Sequence, residues 1–377
     1  MKVRKLAIAV SLAVLATPVL ADINIGMTIA ATGPAAALGV PQKNTATLFP
    51  TTIAGEKINW IVLDDGTDPT NAAKNANKFV NEDKVDVMVG TSTVAGSMAV
   101  VEVAVSSKTP LVSLAPIELP AEKHKWVFRM PQHNSLMAKA LIEHMNTNKV
   151  KTLGFIGFAD PYGDSWLKEL TAQAQAAGIN IVATERYARA DTSVTGQVVK
   201  LLAAKPDAVF IAGSGSPAVL PQTTLVERGY KGAIYQSHGA VGKDPLRVGG
   251  KAMEGSFAVS GPLLVWDQLP DSHPSKKAGG DYDKKYEDKF GAGSMVPQGG
   301  HAWDAAALIA RAIPVALKKA KPGTPEFRAA MRDALESEKD VVGVHGVFNM
   351  NANDHFGHDA RGRVIVKVEN GQYKLVK

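Results

Sequence analysis

The sequence predicts an α/β architecture of two doubly wound units facing each other across a cleft. Three observations carry that expectation. Short β-branched runs alternate with helical stretches from residue 22 onward. The runs are apolar on both sides, as in Val85, Val87, Met88 and Val89, which suits a parallel sheet covered by helices on both faces. The alternation then restarts near residue 150, so the chain holds two such series.

In the first series Ile23 to Ile29, Ile58 to Leu63, Val85 to Val89 and Pro110 to Leu114 read as strands, with helices between them. Asp68-Pro69 supplies an N-cap and a proline at the first helical position. Ala72, Ala76, Phe79 and Val80 then share one helical face. The second series reads as strand Thr152 to Ile156, helix Tyr162 to Ala177, strand Ile179 to Ala183, helix Ser193 to Ala204 and strand Ala208 to Ala212. Helix Ser216 to Arg228 stops at Gly229, and strands Ala233 to Gln236 and Ser256 to Ser260 follow. Beyond Pro262 the chain reads as helical, with Ala302 to Ala320 and Pro325 to Glu336. It ends hairpin-like: Gly346 to Met350, a polar loop, Val364 to Val368, the turn pair Asn370-Gly371 and Gln372 to Val376.

The N-terminal 21 residues read as an export signal. Lys2, Arg4 and Lys5 precede the apolar run Leu6 to Leu15, and Ala21 marks a cleavage point before Asp22. That run is shorter than the roughly 20 residues a membrane span needs. A periplasmic location with cleavage after Ala21 follows as the expectation. Three of the 42 basic residues lie in this leader, so the remainder carries 39 against 36 acidic, a net charge of +3. No basic run of five residues and no basic–aromatic interleaving occurs, so no nucleic acid partner is expected. The chain has no cysteine, which excludes disulfides, thiol catalysis and Cys-ligated zinc.

Catalytic signatures are missing. Neither G-x-G-x-x-G nor G-x-x-x-x-G-K-[ST] occurs, and Gly213-Ser214-Gly215-Ser216 is not a G-x-S-x-G elbow. H-E-x-x-H is absent. His355, His358 and Asp359 lie in an Asn-rich stretch that reads as a solvated turn rather than a metal site. Asp64 and Asp65 read as a strand-end turn and cap, since no partner acid or base is evident. No enzyme activity, metal or cofactor is expected; a periplasmic hydrolase or dehydrogenase is the enzyme alternative.

Open α/β sheets bind small molecules outside the carboxyl ends of their strands. Here those ends carry Thr32-Gly33-Pro34, Gly90-Thr91-Ser92-Thr93 and Ser113-Leu114-Ala115. In the second unit they carry Ala159-Asp160-Pro161-Tyr162-Gly163, Gly213-Ser214 and Ser237-His238-Gly239. Such hydroxyls and amides suit a carboxylate or another oxygen-rich head group. Thr91 to Thr93 also suit a helix cap, which can coexist with ligand contact, and Tyr162 and His238 have structural positions as their alternatives.

Thr32-Gly33-Pro34-Ala35-Ala36, Asp64-Asp65 with Asp68-Pro69-Thr70, Val89-Gly90, Pro110-Leu111-Val112-Ser113 and Asp160-Pro161-Tyr162-Gly163, in this order and spacing, resemble the periplasmic leucine/isoleucine/valine-binding type of solute-binding protein that serves ABC importers. The resemblance covers nearly the whole chain after residue 21. It implies two Rossmann-like lobes of the type I periplasmic-binding fold, joined by three hinge crossings, with the ligand in the inter-lobe cleft. Lobe 1 is expected at 22–131 and 262–345, and lobe 2 at 132–261 and 346–377.

The resemblance also implies roles. Ser92, Thr93, Ala115 and Ile117 would hold the ligand's carboxylate in the first lobe, with Thr32 at the neighbouring strand end. Tyr162, Ser214 and His238 would face it from the second. The family's amino-acid binders place a carboxylate, usually Glu, where this chain has His238, and that group pairs with the ligand's ammonium. Without it, the expected solute bears a carboxylate but no free amine, such as an aromatic, keto or aliphatic acid, unless Asp160 or Asp191 supplies the charge. The expected partner is an ABC permease and the expected assembly a monomer. A true amino acid binder, or a ligand sensor for a chemoreceptor or kinase, are the alternatives.

Overall fold

The computed structural model describes residues 22–376; the expected export signal at residues 1–21 lies outside the described residues. The first sheet is built from strands β1 (Ile23–Ile29), β2 (Thr52–Ile53), β3 (Glu56–Asp64), β4 (Val87–Val89), β5 (Leu111–Ser113) and β6 (Val127–Arg129), in the order β2-β3-β1-β4-β5-β6. All its pairings are parallel except the edge ribbon β2–β3. Helices α1 (Ala36–Ala46), α2 (Pro69–Asn81), α3 (Val94–Ser107) and the single turn α4 (Ala121–His124) connect them. Helix α2 starts as the sequence dictates. Asp68 accepts from the Thr70 and Asn71 amides at 2.6 and 3.2 Å, Pro69 opens the helix, and Ala72, Ala76 and Phe79 are its buried face. Phe79 lies directly on β1, where a Cβ at Gly26 would come within 2.5 Å of its ring.

The second sheet is entered through α5 (Asn134–Thr147). It holds β7 (Thr152–Phe158), β8 (Asn180–Tyr187), β9 (Ala208–Ala212), β10 (Ala233–Gln236) and β11 (Phe257–Ser260), all parallel. Its connecting helices are α6 (Pro161–Ala176), α7 (Thr195–Ala203), α8 (Val219–Glu227) and α9 (Lys243–Gly249). The expected helix from Ser216 is broken: a 3-10 turn over Ser216–Ala218 precedes α8. Strand β8 runs four residues beyond its expected end at Ala183.

The chain then returns to the first sheet. A 3-10 segment, Pro262–Gln268, leads through α10 (Ser275–Phe290) to α11 (Pro297–Leu317) and α12 (Pro325–Glu336). Ala305, Ile309 and Ile313 of α11 and Phe327 and Met331 of α12 pack against Ile25, Met27, Val87 and Phe128. Strand β12 (Val341–Val342) pairs with β13 (Val347–Phe348), and the chain crosses back to add β14 (Val364–Glu369) antiparallel to β11 and β15 (Gln372–Leu375) antiparallel to β14.

The C-terminal hairpin is therefore β14–β15, closed by Asn370-Gly371 as its turn chemistry suggests, and Gly346 to Met350 is no part of it. Phe348 and Met350 are 0% and 1% exposed in the core of the first sheet, which puts the stretch from Gly346 to Met350 there, while β14 and β15 belong to the second sheet. The reason is apolar: these side chains complete the layer under α11 and α12, while the polar side chains after Met350 turn the chain back.

Three passages link the sheets, and they converge. A Cβ on Gly261, in the second passage, would lie 2.3 Å from His345 Nδ1 and 2.6 Å from Gln132 Nε2, so glycine alone fits there. Gln132, in the first passage, donates to the carbonyls of His345 (3.0 Å) and Gly362 (2.7 Å) in the third. One amide side chain thus ties together the points where the chain changes sheets.

Candidate functional site

A cavity lies between the carboxyl ends of the two sets of parallel strands, where converging loops leave space. Six of the eight residues expected at the site line it: Ser92, Thr93, Ala115, Tyr162, Ser214 and His238. Two do not. Thr32 is turned away, its hydroxyl donating to Asp64 Oδ2 at 2.7 Å, because Asp64 gathers the Ala31, Thr32 and Gly66 amides into one turn. Ile117 is 0% exposed in the core that includes Val94, Met137 and Phe158, since its apolar side chain gains more there than beside a polar cleft.

The first-lobe wall is backbone and hydroxyl. Thr93 caps α3, accepting from the Gly96 amide at 3.2 Å, and the first intrahelical bond, Ser97 amide to Thr93 carbonyl, comes only at Ser97. The Val94 end of α3 therefore presents early amides and the positive pole of its dipole to the cavity. Ser92 is fixed by its neighbours: it donates to Gln42 Oε1 at 2.6 Å and accepts from the Ala30 amide at 3.0 Å. Ser113 accepts from the Ala115 amide at 3.2 Å, which leaves Ala115 to contribute shape rather than a donor.

The second-lobe wall is aromatic and cationic. Asp160 caps α6 through the Tyr162 and Gly163 amides and also takes Arg189 Nε at 2.8 Å. The Arg189 guanidinium lies 4.1 Å above the Phe158 ring and donates through Nη1 to Ser214 Oγ at 2.8 Å. Tyr162 donates to Ser237 Oγ at 3.0 Å, and Ser237 donates to the Gly213 carbonyl at 2.6 Å. Burial raises the Tyr162 phenol above its ordinary value, so it stays protonated.

His238, 8% exposed, packs against Trp166 and Tyr162 with ring centroids 5.6 and 6.2 Å away, and its Nδ1 has no hydrogen-bond partner. Burial pushes its imidazole down to about 3, so it is neutral at physiological pH.

Sequence reasoning missed several lining residues. Gln42 comes from within α1, Gln298 and His301 from the first turns of α11, and His345 from the third passage. His301 and His345 stack at 3.8 Å, and His345 Nε2 bonds the Pro297 carbonyl at 2.8 Å. Burial lowers both, His345 to about 3. Arg189 had a usable signal: it stands two residues past Tyr187, the end of β8, where the strand-end rule would have found it had the strand been read to its full length. Asp160 and Asp191 do not line the cavity; Asp160 is spent on Arg189 and α6, and Asp191 holds the Ala188 amide.

The Asn-rich stretch is no solvated turn at its histidines. His355 is 1% exposed, stacked on Phe128 at 4.3 Å and bonded through Nδ1 to the Val127 carbonyl and through Nε2 to Glu336 at 3.1 Å. His358 Nε2 bonds the Met130 carbonyl at 2.8 Å. Among the described residues no group of three His, Cys, Asp or Glu could hold a metal, and no helix is long and apolar enough to cross a membrane.

Two α/β lobes closing over a cavity at their strand ends define a solute-binding protein, a class in which geometry captures a ligand without chemistry on it. The profile of the periplasmic binding protein family matches residues 22–372, and the chain belongs to that family, whose members work outside the cytoplasm. It is 27% identical to an "Amino acid binding protein" of Pseudomonas aeruginosa over 306 residues, 78% of each chain. An extracellular ligand-binding receptor from Rhodopseudomonas palustris is 47% identical and superposes with a TM-score of 0.93 over 94% of this chain and 99% of its own. The leucine-binding protein LivK of Thermotoga maritima, 19% identical, shares the fold at a TM-score of 0.80 over 94% and 98%. The family and these neighbours are solute-binding proteins, not enzymes.

Proposed function

We propose that the protein captures a small carboxylate-bearing solute without a free amine, by closure of its two lobes, and delivers it to an ABC-type importer. One observation carries the ligand class: among the described residues no Asp or Glu lines the cavity, and its one charged side chain is Arg189. A ligand ammonium buried there would meet Arg189 and neutral imidazoles, at a cost of several kcal/mol. A carboxylate would meet the remaining guanidinium donors on one wall and the α3 terminus on the other. Leu38, Val94, Leu114, Pro116, Pro131 and Pro297 give the body of the solute an apolar space.

The fold admits either kind of cargo. One neighbour of 19% identity was solved with isoleucine and another, an ABC transporter solute-binding protein of 17% identity, with benzoate. Cavity charge is what favours the second kind here. A true amino acid binder is the reading that the P. aeruginosa relative favours.

Calorimetry on ligand-free protein separates them. Saturable binding of benzoate-like or aliphatic acids, with leucine, isoleucine and valine silent, is the expected result; micromolar leucine or valine with no organic acid bound would overturn it. X-ray scattering should show the particle contract when the cognate acid is saturating, because a solute touching both walls must favour the closed form.

A further inference from the structure

In a pocket that shares no lining residue with the cleft, Arg129 ends β6 and is 1% exposed. Its guanidinium lies 4.3 Å from the Phe356 ring centroid, and Nε and Nη1 are buried without any hydrogen-bond partner. No carboxylate comes within ion-pair distance of it among the described residues. Asp354, the acidic side chain of the surrounding pocket, is turned to its own loop, accepting from the Phe356 and Gly357 amides at 2.8 and 3.1 Å. A buried guanidinium with unpartnered donors, whose counter-charge Asp354 acts on it only from beyond ion-pair distance, is costly to keep, because an apolar side chain of similar volume would fill the space at less cost.

The pocket it lines, about 1060 Å³ and open to solvent, has a second cation. Lys139, exposed on α5, faces the same space, while carboxylates on flanking elements are engaged elsewhere, Glu143 with Arg363 and Glu118 with Lys168. Two unpaired cations against one turned-away carboxylate leave the pocket short of negative charge. One cation comes from the first lobe and the other from the second.

We propose that this pocket is a second binding site, separate from the cleft, for a small oxyanion held between the Arg129 guanidinium and the Lys139 ammonium. The guanidinium donors fit two oxygens of a carboxylate or a phosphate, and the ammonium neutralises the charge left over. Gln173, whose amide donates to the Ser135 carbonyl at 2.9 Å, and Asn353 give the rim neutral polar groups, so Asp354, turned to its own loop, is the one lining carboxylate among the described residues that opposes an anion.

Titration calorimetry of the processed, ligand-free protein with inorganic phosphate, and separately with acetate, tests this at an ionic strength held constant with sodium chloride. At least one anion should bind saturably, at one per chain, in the millimolar range or tighter; phosphate alone would identify a tetrahedral anion and acetate alone a carboxylate. Arg129→Met should abolish the binding, Lys139→Gln should weaken it several-fold, and Arg189→Met, in the cleft, should leave it intact. Where Arg129→Met does not fold, Lys139→Gln decides, since Lys139 is exposed. Neither anion binding, Lys139→Gln titrating like the parent, or loss of the binding in Arg189→Met would each overturn the proposal.

Discussion

On the first-lobe wall of the cleft the strand-end hydroxyls are satisfied before any ligand arrives: Ser92 is held by Gln42 and the Ala30 amide, and Thr93 by its own helix, with His301 Nδ1 of α11 left open. On the second-lobe wall Tyr162 and Ser214 are satisfied too, but the charged side chain and the imidazole keep open groups. Arg189 uses Nε on Asp160 and Nη1 on Ser214, with further N–H groups to spare, and His238 Nδ1 has no partner at all. The difference assigns separate tasks. A pre-satisfied wall made of backbone is rigid and fits a common head group, whereas a wall with open donors distinguishes one solute from another. Ligand choice in this chain should therefore track the second lobe.

The largest expected effect concerns buried imidazoles: His238 on that wall, His345 in the third passage and His358 beside it. His238 and His345 are held near 3, and His358 near 4, by burial, against an ordinary value of 6.5. In the unfolded chain each takes a proton as the pH falls through 6.5, while in the folded chain it does not until far lower. Stability present above pH 6.5 is thus lost progressively between about 6.5 and 3, by several kcal/mol in sum. Asp304, fully buried and raised to about 7, works in the opposite direction: its folded form keeps a proton that the unfolded form loses, so its contribution fades as pH rises from about 4 to 7. Denaturant melts from pH 7.5 to 4 should show a net decline in the acid range, and His238→Gln should flatten it by about one proton. An unchanged slope would mean that His238 is solvated.

Next in size is Arg189→Met. Removing the cleft's charged side chain should cost a carboxylate ligand about 2–3 kcal/mol, roughly a hundredfold in Kd. Ser92→Ala, on the opposite wall, should cost about tenfold or less, since it removes a neutral group that acts mainly on Gln42. Calorimetry on both variants ranks the walls, and equal losses would break the asymmetry.

Why parts of this site were legible is physical. Parallel strands end in one place, so Ser92, Thr93, Ala115, Tyr162, Ser214 and His238 fall at the cavity from their position after apolar runs alone. The same rule placed Thr32 and Ile117 there, but it says nothing of where a side chain then turns, and Asp64 and the apolar core claimed them. Gln42, His301 and His345 come from a helix interior, a helix start and a returning passage, positions fixed only by packing of segments far apart in sequence. The C-terminal pairing misled for a related reason: Gly346 to Met350 has the composition of a hairpin strand, yet Phe348 and Met350 are claimed by the first sheet's core.

The smallest effect concerns what joins the walls. Glu118, in the loop after β5, accepts from Ser165 at 2.6 Å and from Lys168 at 2.8 Å, both on α6 of the second lobe, and Gln298 Nε2 donates to the Val241 carbonyl at 2.8 Å. The Lys168 side chain is 67% exposed, so its ion pair should be worth about 0.2–1 kcal/mol and weaken with salt. These contacts exist only while the lobes are together, so they bias closure without touching the solute. Glu118→Gln should raise Kd about two- to fivefold at low salt, an effect that shrinks as ionic strength rises, and it should leave the ranking of different acids unchanged. A changed ranking would show that the lobe contacts shape the cavity, and that specificity is not confined to the second wall.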